Sequence, residues 1–219
     1  FRPETATDYE IGIKSDWLDH RLRVNAAAYY IDYKDVQRRV IVADPVSGSL
    51  ATLIANAASA EVQGLELEVT AIPIEGLTLT GGVGYTKPKY KRFIDRGADR
   101  SGEAWPVPET QVNLGAEYVW PTSVGDLRAR VDGYWQSDVN FDGAATSDQQ
   151  TTQKAYGLLN ARVSLHVDQW DADLALFGTN LTDERYLANA VGLDNQLGYN
   201  IGYLGEPRIV GVQLTKHFR

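Results

Sequence analysis

Apolar residues recur at every second position through most of this chain. Leu65, Leu67, Val69 and Ala71 alternate with Glu66, Glu68 and Thr70. Val112, Leu114, Ala116, Tyr118 and Trp120 repeat the pattern, as do Leu127, Ala129, Val131, Gly133 and Trp135, and Leu159, Ala161, Val163, Leu165 and Val167. A period of two places alternate side chains on opposite faces of a strand, so each segment has one apolar and one polar face. The spacing predicts about nine such segments, at roughly 7–17, 21–36, 61–71, 77–86, 109–120, 127–139, 156–167, 172–180 and 208–218. Most run about 9–12 residues, which suits a tilted strand crossing a bilayer, whereas strands of soluble domains average about 5–6.

Connection lengths alternate. The short ones are Leu18-Asp19-His20 and the stretches 72–76, 121–126 and 168–171; the long ones are 37–60, 87–108, 140–155 and 181–207. An up-and-down outer-membrane barrel has short periplasmic turns and long extracellular loops, because successive connections lie on opposite sides of the membrane. The aromatic residues sort the same way. Trp17, Trp120 and Trp170 sit beside short turns, and Tyr30, Tyr33, Tyr85, Trp135 and Tyr186 lie towards the long connections. Amphipathic rings favour membrane–water interfaces, so these residues are expected to form two girdles around an aliphatic band. The polar faces carry Arg23, Glu66, Glu68, Glu117, Arg128, Arg130, Asp132 and Arg162. A dry core could not hold that many charges, but a wide, wet or plugged lumen could.

No run of 18 apolar residues suggests a transmembrane helix. The net charge of −8 argues against a nucleic-acid partner. With no cysteine there is neither a disulfide framework nor thiol chemistry. His20, His166 and His217 are scattered along the chain, and no nucleophile–base spacing stands out, so no catalytic residue, metal ligand or cofactor is assigned. Asp168, Asp171 and Asp173 read as a solvated acidic turn, since no glycine-centred loop frames them for calcium. Gly81-Gly82-Val83-Gly84 precedes no helix and is not a dinucleotide fingerprint. The connection at 87–106 is the richest in binding chemistry. Lys87, Lys89, Tyr90, Lys91, Arg92, Phe93, Arg96, Arg100 and Trp105 join cations to aromatic rings, a mixture suited to an anionic aromatic iron chelate or to lipopolysaccharide phosphates; Lys89, Tyr90, Arg92, Arg96, Arg100 and Trp105 are the first candidates. A solvated surface loop reads equally well.

Several stretches resemble the TonB-dependent receptor family. They are Pro3-Glu4-Thr5 with Tyr9-Glu10-Ile11-Gly12-Ile13-Lys14, the run from Ala26 to Gln37, and Asn56-Ala57-Ala58 leading to Val62-Gln63-Gly64-Leu65-Glu66-Leu67-Glu68. The sharpest is Asn180-Leu181-Thr182-Asp183-Glu184-Arg185-Tyr186, and the last runs from Gly205-Glu206-Pro207-Arg208 to Phe218. Their order spans nearly the whole chain and resembles the C-terminal end of the receptor barrel. The resemblance implies an outer-membrane receptor that takes up a scarce bulky nutrient, above all an iron–siderophore complex, energised by TonB through an N-terminal region that this sequence does not include. It also implies Phe218 as the C-terminal aromatic read by the barrel-assembly machinery; Arg219 departs from that pattern.

Such receptors have about 22 strands around a plug, so residues 1–219 are expected to be a partial barrel of about nine antiparallel strands lacking the plug domain. An odd count with two free edges does not close a regular bacterial barrel. Two other readings stay open on the residues alone. One is a small complete barrel acting as a pore or outer-membrane enzyme, which needs an even strand count. The other is a soluble β-protein binding carbohydrate, whose aliphatic stripes would have to pair into one core.

Overall fold

The computed structural model describes residues 1–43, 50–95, 98–141, 151–192 and 198–218. It is an all-β chain whose main sheet is a meander. Nine long strands pair antiparallel with their sequence neighbours: β1 (Thr5–Trp17), β2 (Leu22–Ala43), β3 (Leu50–Ala71), β4 (Leu77–Asp95), β6 (Thr110–Thr122), β7 (Gly125–Gln136), β10 (Tyr156–Val167), β11 (Ala172–Thr179) and β14 (Ile209–Lys216). Short strands decorate the long connections: β5 (Ala98–Asp99) pairs with β4, β8 (Val139–Asn140) with β9 (Thr152–Gln153), and β12 (Leu187–Val191) with β13 (Ile201–Leu204). β1 and β14 form the two edges of the main sheet.

The pairing register joins the separate apolar stripes into one surface. Trp17, Leu22, Ala71, Leu79, Ala116, Val131, Ala161, Gly178 and Val210 are successive cross-strand partners across all nine strands. The adjacent row, on the other face, runs through Asp16, Arg23, Thr70, Thr80, Gly115, Asp132 and Asn160. One residue of slip in any pair would move its apolar set onto the polar face, so the alternation itself specifies the register. The apolar row begins at the short-turn end of β1 and ends near the long-connection end of β14, the stagger of tilted strands.

The apolar face is uncovered. Ile11 is 77% exposed, Leu214 75%, Val212 71% and Leu114 61%. A water-soluble chain would bury such a face, because contiguous exposed apolar patches seldom exceed a few hundred Å²; here the face extends over the whole sheet and meets lipid. This overturns the soluble carbohydrate-binding alternative, whose stripes would have had to pair into a core. Among the described residues no helix is long and apolar enough to cross a membrane; the strands do so.

Three strands run far past the bilayer. β2 and β3 are 22 residues each and β4 is 19, where the alternation had placed boundaries near 36, 61 and 86. The connections expected at 37–60 and 87–108 are therefore largely hairpin extensions. Above the membrane both faces are wet, so the apolar alternation lapses while the backbone ladder continues. The short turns fall where expected. Leu18, Asp19 and His20 are all left-handed, with φ of 55°, 54° and 65°, and a 3₁₀ turn at Asp168–Trp170 joins β10 to β11.

Gly64 shows how close the neighbours stand on the polar face. A Cβ there would lie 2.4 Å from the Tyr29 ring and 2.4 Å from the Tyr85 carbonyl oxygen. The ring lies over the strand, with its hydroxyl 2.7 Å from Thr86 Oγ1, an aromatic side chain covering a strand glycine. Gly64→Ala is expected to lower the stability of the full-length receptor by about 1–3 kcal/mol, the usual cost of overpacking, read from its urea midpoint in detergent. Gly84→Ala has no atom within 4 Å of its new Cβ and should leave the midpoint in place or raise it slightly. Equal losses would refute the packing assignment.

Candidate functional site

The polar face divides into three parts. Its middle is wet and ionic: Arg130 grips Asp132 through two bonds of 2.9 and 2.6 Å and reaches Glu117 at 4.0 Å, and Arg23 meets Asp16 at 2.9 Å. Each pair crosses strands or skips one residue, so both charges lie on one wall. In a wide barrel this is the lumen wall.

The extracellular end of the same face is aromatic. Tyr33, Ala60 and Tyr90 are cross-strand partners, and Ala58 pairs with both Val36 and Phe93. β-bulges between Tyr33 and Gln37 and between Ser59 and Ala60 shift the register so that these side chains converge. They form the buried cluster Val36, Ala58, Ala60, Tyr90 and Phe93, with Trp105 packed against it. Tyr90 lies 5.0 Å from Phe93 and 5.2 Å from Trp105 by ring centroids. The Arg38 guanidinium stands 5.0 Å from the Tyr90 centroid, 5.2 Å from that of Trp105 and 6.0 Å from that of Phe93. Burial among the rings pulls its pKa below the ordinary arginine value, opposed by the Glu103 and Glu4 carboxylates; it stays cationic at neutral pH. Arg38 Nε and Trp105 Nε1 are buried with no hydrogen-bond acceptor among the described residues.

The rim is pinned by residues of the family-like motifs. The Tyr33 hydroxyl donates to Glu4 at 2.6 Å, and that bond, with the Gln37 backbone N–H, holds the Glu4 carboxyl below the usual carboxylate range. The Asn56 amide donates to the carbonyls of Arg2 at 2.8 Å and Asp35 at 2.7 Å, while Arg2 pairs with Asp35 at 2.9 Å.

A second aromatic group stands further along the wall. Tyr156 stacks on Tyr186 at 4.4 Å and meets Tyr134 edge-on at 6.2 Å. Asn180 positions Tyr186. It is left-handed (φ 48°) and 4% exposed, its amide donates to the carbonyls of Glu184 (2.8 Å) and Glu206 (3.0 Å), and its side-chain oxygen accepts from Glu184 N–H at 2.9 Å. The Tyr186 ring then lies directly on Gly205.

The loop residues singled out by sequence do not form one patch. Tyr90 (3% exposed) and Trp105 belong to the lumen-side cluster. Lys89 and Arg92 are exposed on the opposite, outward face, since they lie in the ladder on the side opposite Tyr90. Lys91, beside them, binds Asp32 at 2.9 Å, a bond that raises its pKa. Arg100 bonds Glu103 at 2.5 Å. Arg96 lies outside the described residues. Sequence reasoning singled out Phe93 with the loop but missed Arg38, because only the ladder, with β3 paired between β2 and β4, brings a β2 side chain over the rings of β4. The aromatic residues proposed for the girdles divide by face. Trp17, Tyr30, Tyr85, Trp120 and Trp135 follow the apolar register, and Trp170 is exposed in its turn. Tyr33 and Tyr186, grouped with them on sequence position, turn into the lumen instead. Phe218, beyond β14, is 88% exposed.

The third part, at the short-turn end, holds two of the histidines. His166 Nδ1 is 2.9 Å from Asp173 Oδ1, and His217 Nε2 is 2.7 Å from Asp173 Oδ2.

Comparison with known proteins fits this architecture. The family model described as TonB dependent receptor-like, beta-barrel matches residues 1–181. The chain is 27% identical to the ferric-pyoverdine M114 receptor PbuA of Pseudomonas sp. (strain M114), over 94% of this chain and 24% of that protein. It is 28% identical to the metal-pseudopaline receptor CntO of Pseudomonas aeruginosa, over 100% of this chain and 28% of that protein. It superposes on the ferric yersiniabactin uptake receptor FyuA of Yersinia pestis with a TM-score of 0.77 at 20% identity, covering 96% of this chain and 29% of that one. The chain thus spans about a quarter of the length of the curated relatives it matches. An uncovered lipid face on nine meandering strands, an ionic wall behind it and the family match over residues 1–181 agree: this chain belongs to the TonB-dependent receptor family and forms part of an outer-membrane β-barrel wall.

Proposed function

We propose that the protein is an outer-membrane uptake receptor for a bulky metal chelate, foremost an iron–siderophore complex, with TonB supplying the energy through a region outside these residues. The observation that carries the reading is the lumen-side aromatic wall: the Arg38 cage on Tyr90, Phe93 and Trp105 and the Tyr134–Tyr156–Tyr186 group. Ferric chelates are large, often anionic and often aromatic, so stacking and cation–π contact suit them. Arg38 provides the charge. Two relatives support the cargo class by name, a ferric-pyoverdine receptor and a metal-pseudopaline receptor. Uptake of this kind makes and breaks no covalent bond, so no catalytic group is required.

Lys89 and Arg92, facing outward beyond the Tyr85 girdle, fit lipopolysaccharide phosphates better than cargo. Phe218 fits recognition by the barrel-assembly machinery.

The test is uptake of radiolabelled iron, offered as a panel of ferric chelates to cells with and without the full-length receptor. Uptake of at least one chelate should collapse on deletion of the receptor and equally on loss of TonB. With that chelate, Arg38→Ala should weaken binding by about 1–2 kcal/mol, roughly five- to thirtyfold, while Lys89→Ala should leave it unchanged. Uptake indifferent to TonB would overturn the reading.

A further inference from the structure

His166 on β10, Asp173 on β11 and His217, which directly follows β14, meet on the lumen wall at the end opposite the aromatic cluster. His166 and Asp173 are direct cross-strand partners. Asp173 pairs with Thr215 on its other side, and His217 follows two residues later on the same face. The backbone around His217 is fixed, because its N–H donates to the Asp171 carbonyl at 3.0 Å. One atom from each side chain, two imidazole nitrogens and a carboxylate oxygen, lies within 4.8 Å of the others. All three remain open to the lumen, with side-chain exposures of 36%, 32% and 48%.

We infer that this triad is a binding site for a borderline divalent cation, Zn²⁺ in the first instance, at the periplasmic mouth of the barrel. Zinc takes nitrogen and oxygen ligands at about 2.0–2.2 Å in tetrahedral geometry, which puts ligand atoms about 3.3 Å apart. The present separations need only small rotamer shifts to reach that, because Asp173 already sits between the two rings. His166 would ligate through Nδ1. Its other nitrogen, Nε2, stands 3.7 Å from Asp168 Oδ1, where a carboxylate orients a metal-binding imidazole and raises its basicity. Two neutral imidazoles and one carboxylate leave the site with net positive charge once filled, and the fourth position is open to water. A hydrogen-bonded His–Asp–His tie between β10, β11 and the end of β14 would use the same contacts, but it would bind no Zn²⁺.

The site is independent of the cargo reading, since it faces the periplasm and is tested with the metal alone. The probe is Zn²⁺ titrated calorimetrically into chelator-stripped full-length receptor, carrying no polyhistidine tag, in detergent. Co²⁺ absorption reports the geometry. One site per chain with tetrahedral Co²⁺ bands is expected. Asp173→Asn and His217→Ala should each weaken it by about a hundredfold or more, and Asp168→Asn by about tenfold or more, the range for second-sphere partners. Heat-modifiable migration on gels checks that each variant is folded. Zn²⁺ binding unchanged in the His166→Ala/His217→Ala double variant, or no binding by the wild type, would overturn the site. So would weakening by the ligand variants without any effect of Asp168→Asn on either affinity or Co²⁺ spectrum.

Discussion

Val131→Arg should cripple barrel assembly. Val131 lies at the middle of β7, four residues from both Leu127 and Trp135, and its neighbours in register are Ala116 and Ala161. Its side chain is 41% exposed, on the apolar face. From Leu127 to Trp135 the strand rises about 27 Å, or about 20 Å along the membrane normal once tilt is allowed for, so Val131 falls near the bilayer midplane. An arginine there costs about 2–4 kcal/mol. Its neighbours are too small to shelter a guanidinium, and the head would have to climb about 10 Å to either interface. The control is Asn113→Arg, on the polar face of β6 in the hollow lined by Arg23, Glu68 and Asp132, where water and carboxylates receive a new cation. Asp132 is a poor control, since losing it strips Arg130 of both its short bonds. Urea titration of the full-length receptor in lipid vesicles, with the yield of heat-modifiable protein in outer membranes, measures the difference. Similar losses at Val131 and Asn113 would mean the two faces are wrongly assigned.

Asn180→Ala should cost about 3 kcal/mol and release Tyr186 from the lumen wall. Three hydrogen bonds depend on the Asn180 side chain, to Glu184 N, Glu184 O and Glu206 O, each worth about 1 kcal/mol and more where its partner is left buried and unmet. The residue also holds a left-handed backbone that asparagine tolerates and alanine does not. Asn180→Gly separates the two contributions, because glycine keeps the conformation and loses the bonds; it should fall between wild type and alanine. Asn180→Asp keeps one acceptor but turns a carboxylate oxygen towards two carbonyls, so it should be no better than alanine. The readouts are the urea midpoint of the full-length receptor and protease cleavage within 181–207. A protein with wild-type midpoint and protection in both the alanine and glycine variants would show that the network does not hold this connection.

These experiments probe different levels of what the chain encodes. Alternation over 65–71, 112–120, 127–135 and 159–167 was enough to define the strands, both faces and the meander, since in lipid every backbone group must pair within the sheet and only a period of two keeps charge off the outer surface. The short turns at 18–20, 72–76 and 168–171 were legible because the alternation resumes only a few residues later, which leaves room for nothing but a reversal. The motif ending in Asn180–Tyr186 was visible as a resemblance, but its physical content, an amide tying two connections together, was not.

What the sequence left undetermined depends on pairing between distant segments. Beyond residue 36 the outer face meets water, the apolar constraint lapses, and nothing in the alternation tells a continuing ladder from a loop; the register of β2 on β3 and β3 on β4 decided that. The bulges near Tyr33 and Ser59 then turned Tyr90, Phe93 and Trp105 inward around Arg38, and left Lys89 and Arg92 outside, so a stretch that reads as one basic aromatic loop became two surfaces. His166 and His217 are 51 positions apart in the chain and looked unrelated. They meet because β10 and β14 both pair with β11, bringing the two rings to either side of the Asp173 carboxylate. Local alternation determines which face a side chain takes, because that choice costs only the transfer of one side chain between lipid and water. Which side chains share that face is decided by strand neighbours, a property of the ladder of hydrogen bonds between strands rather than of any single segment.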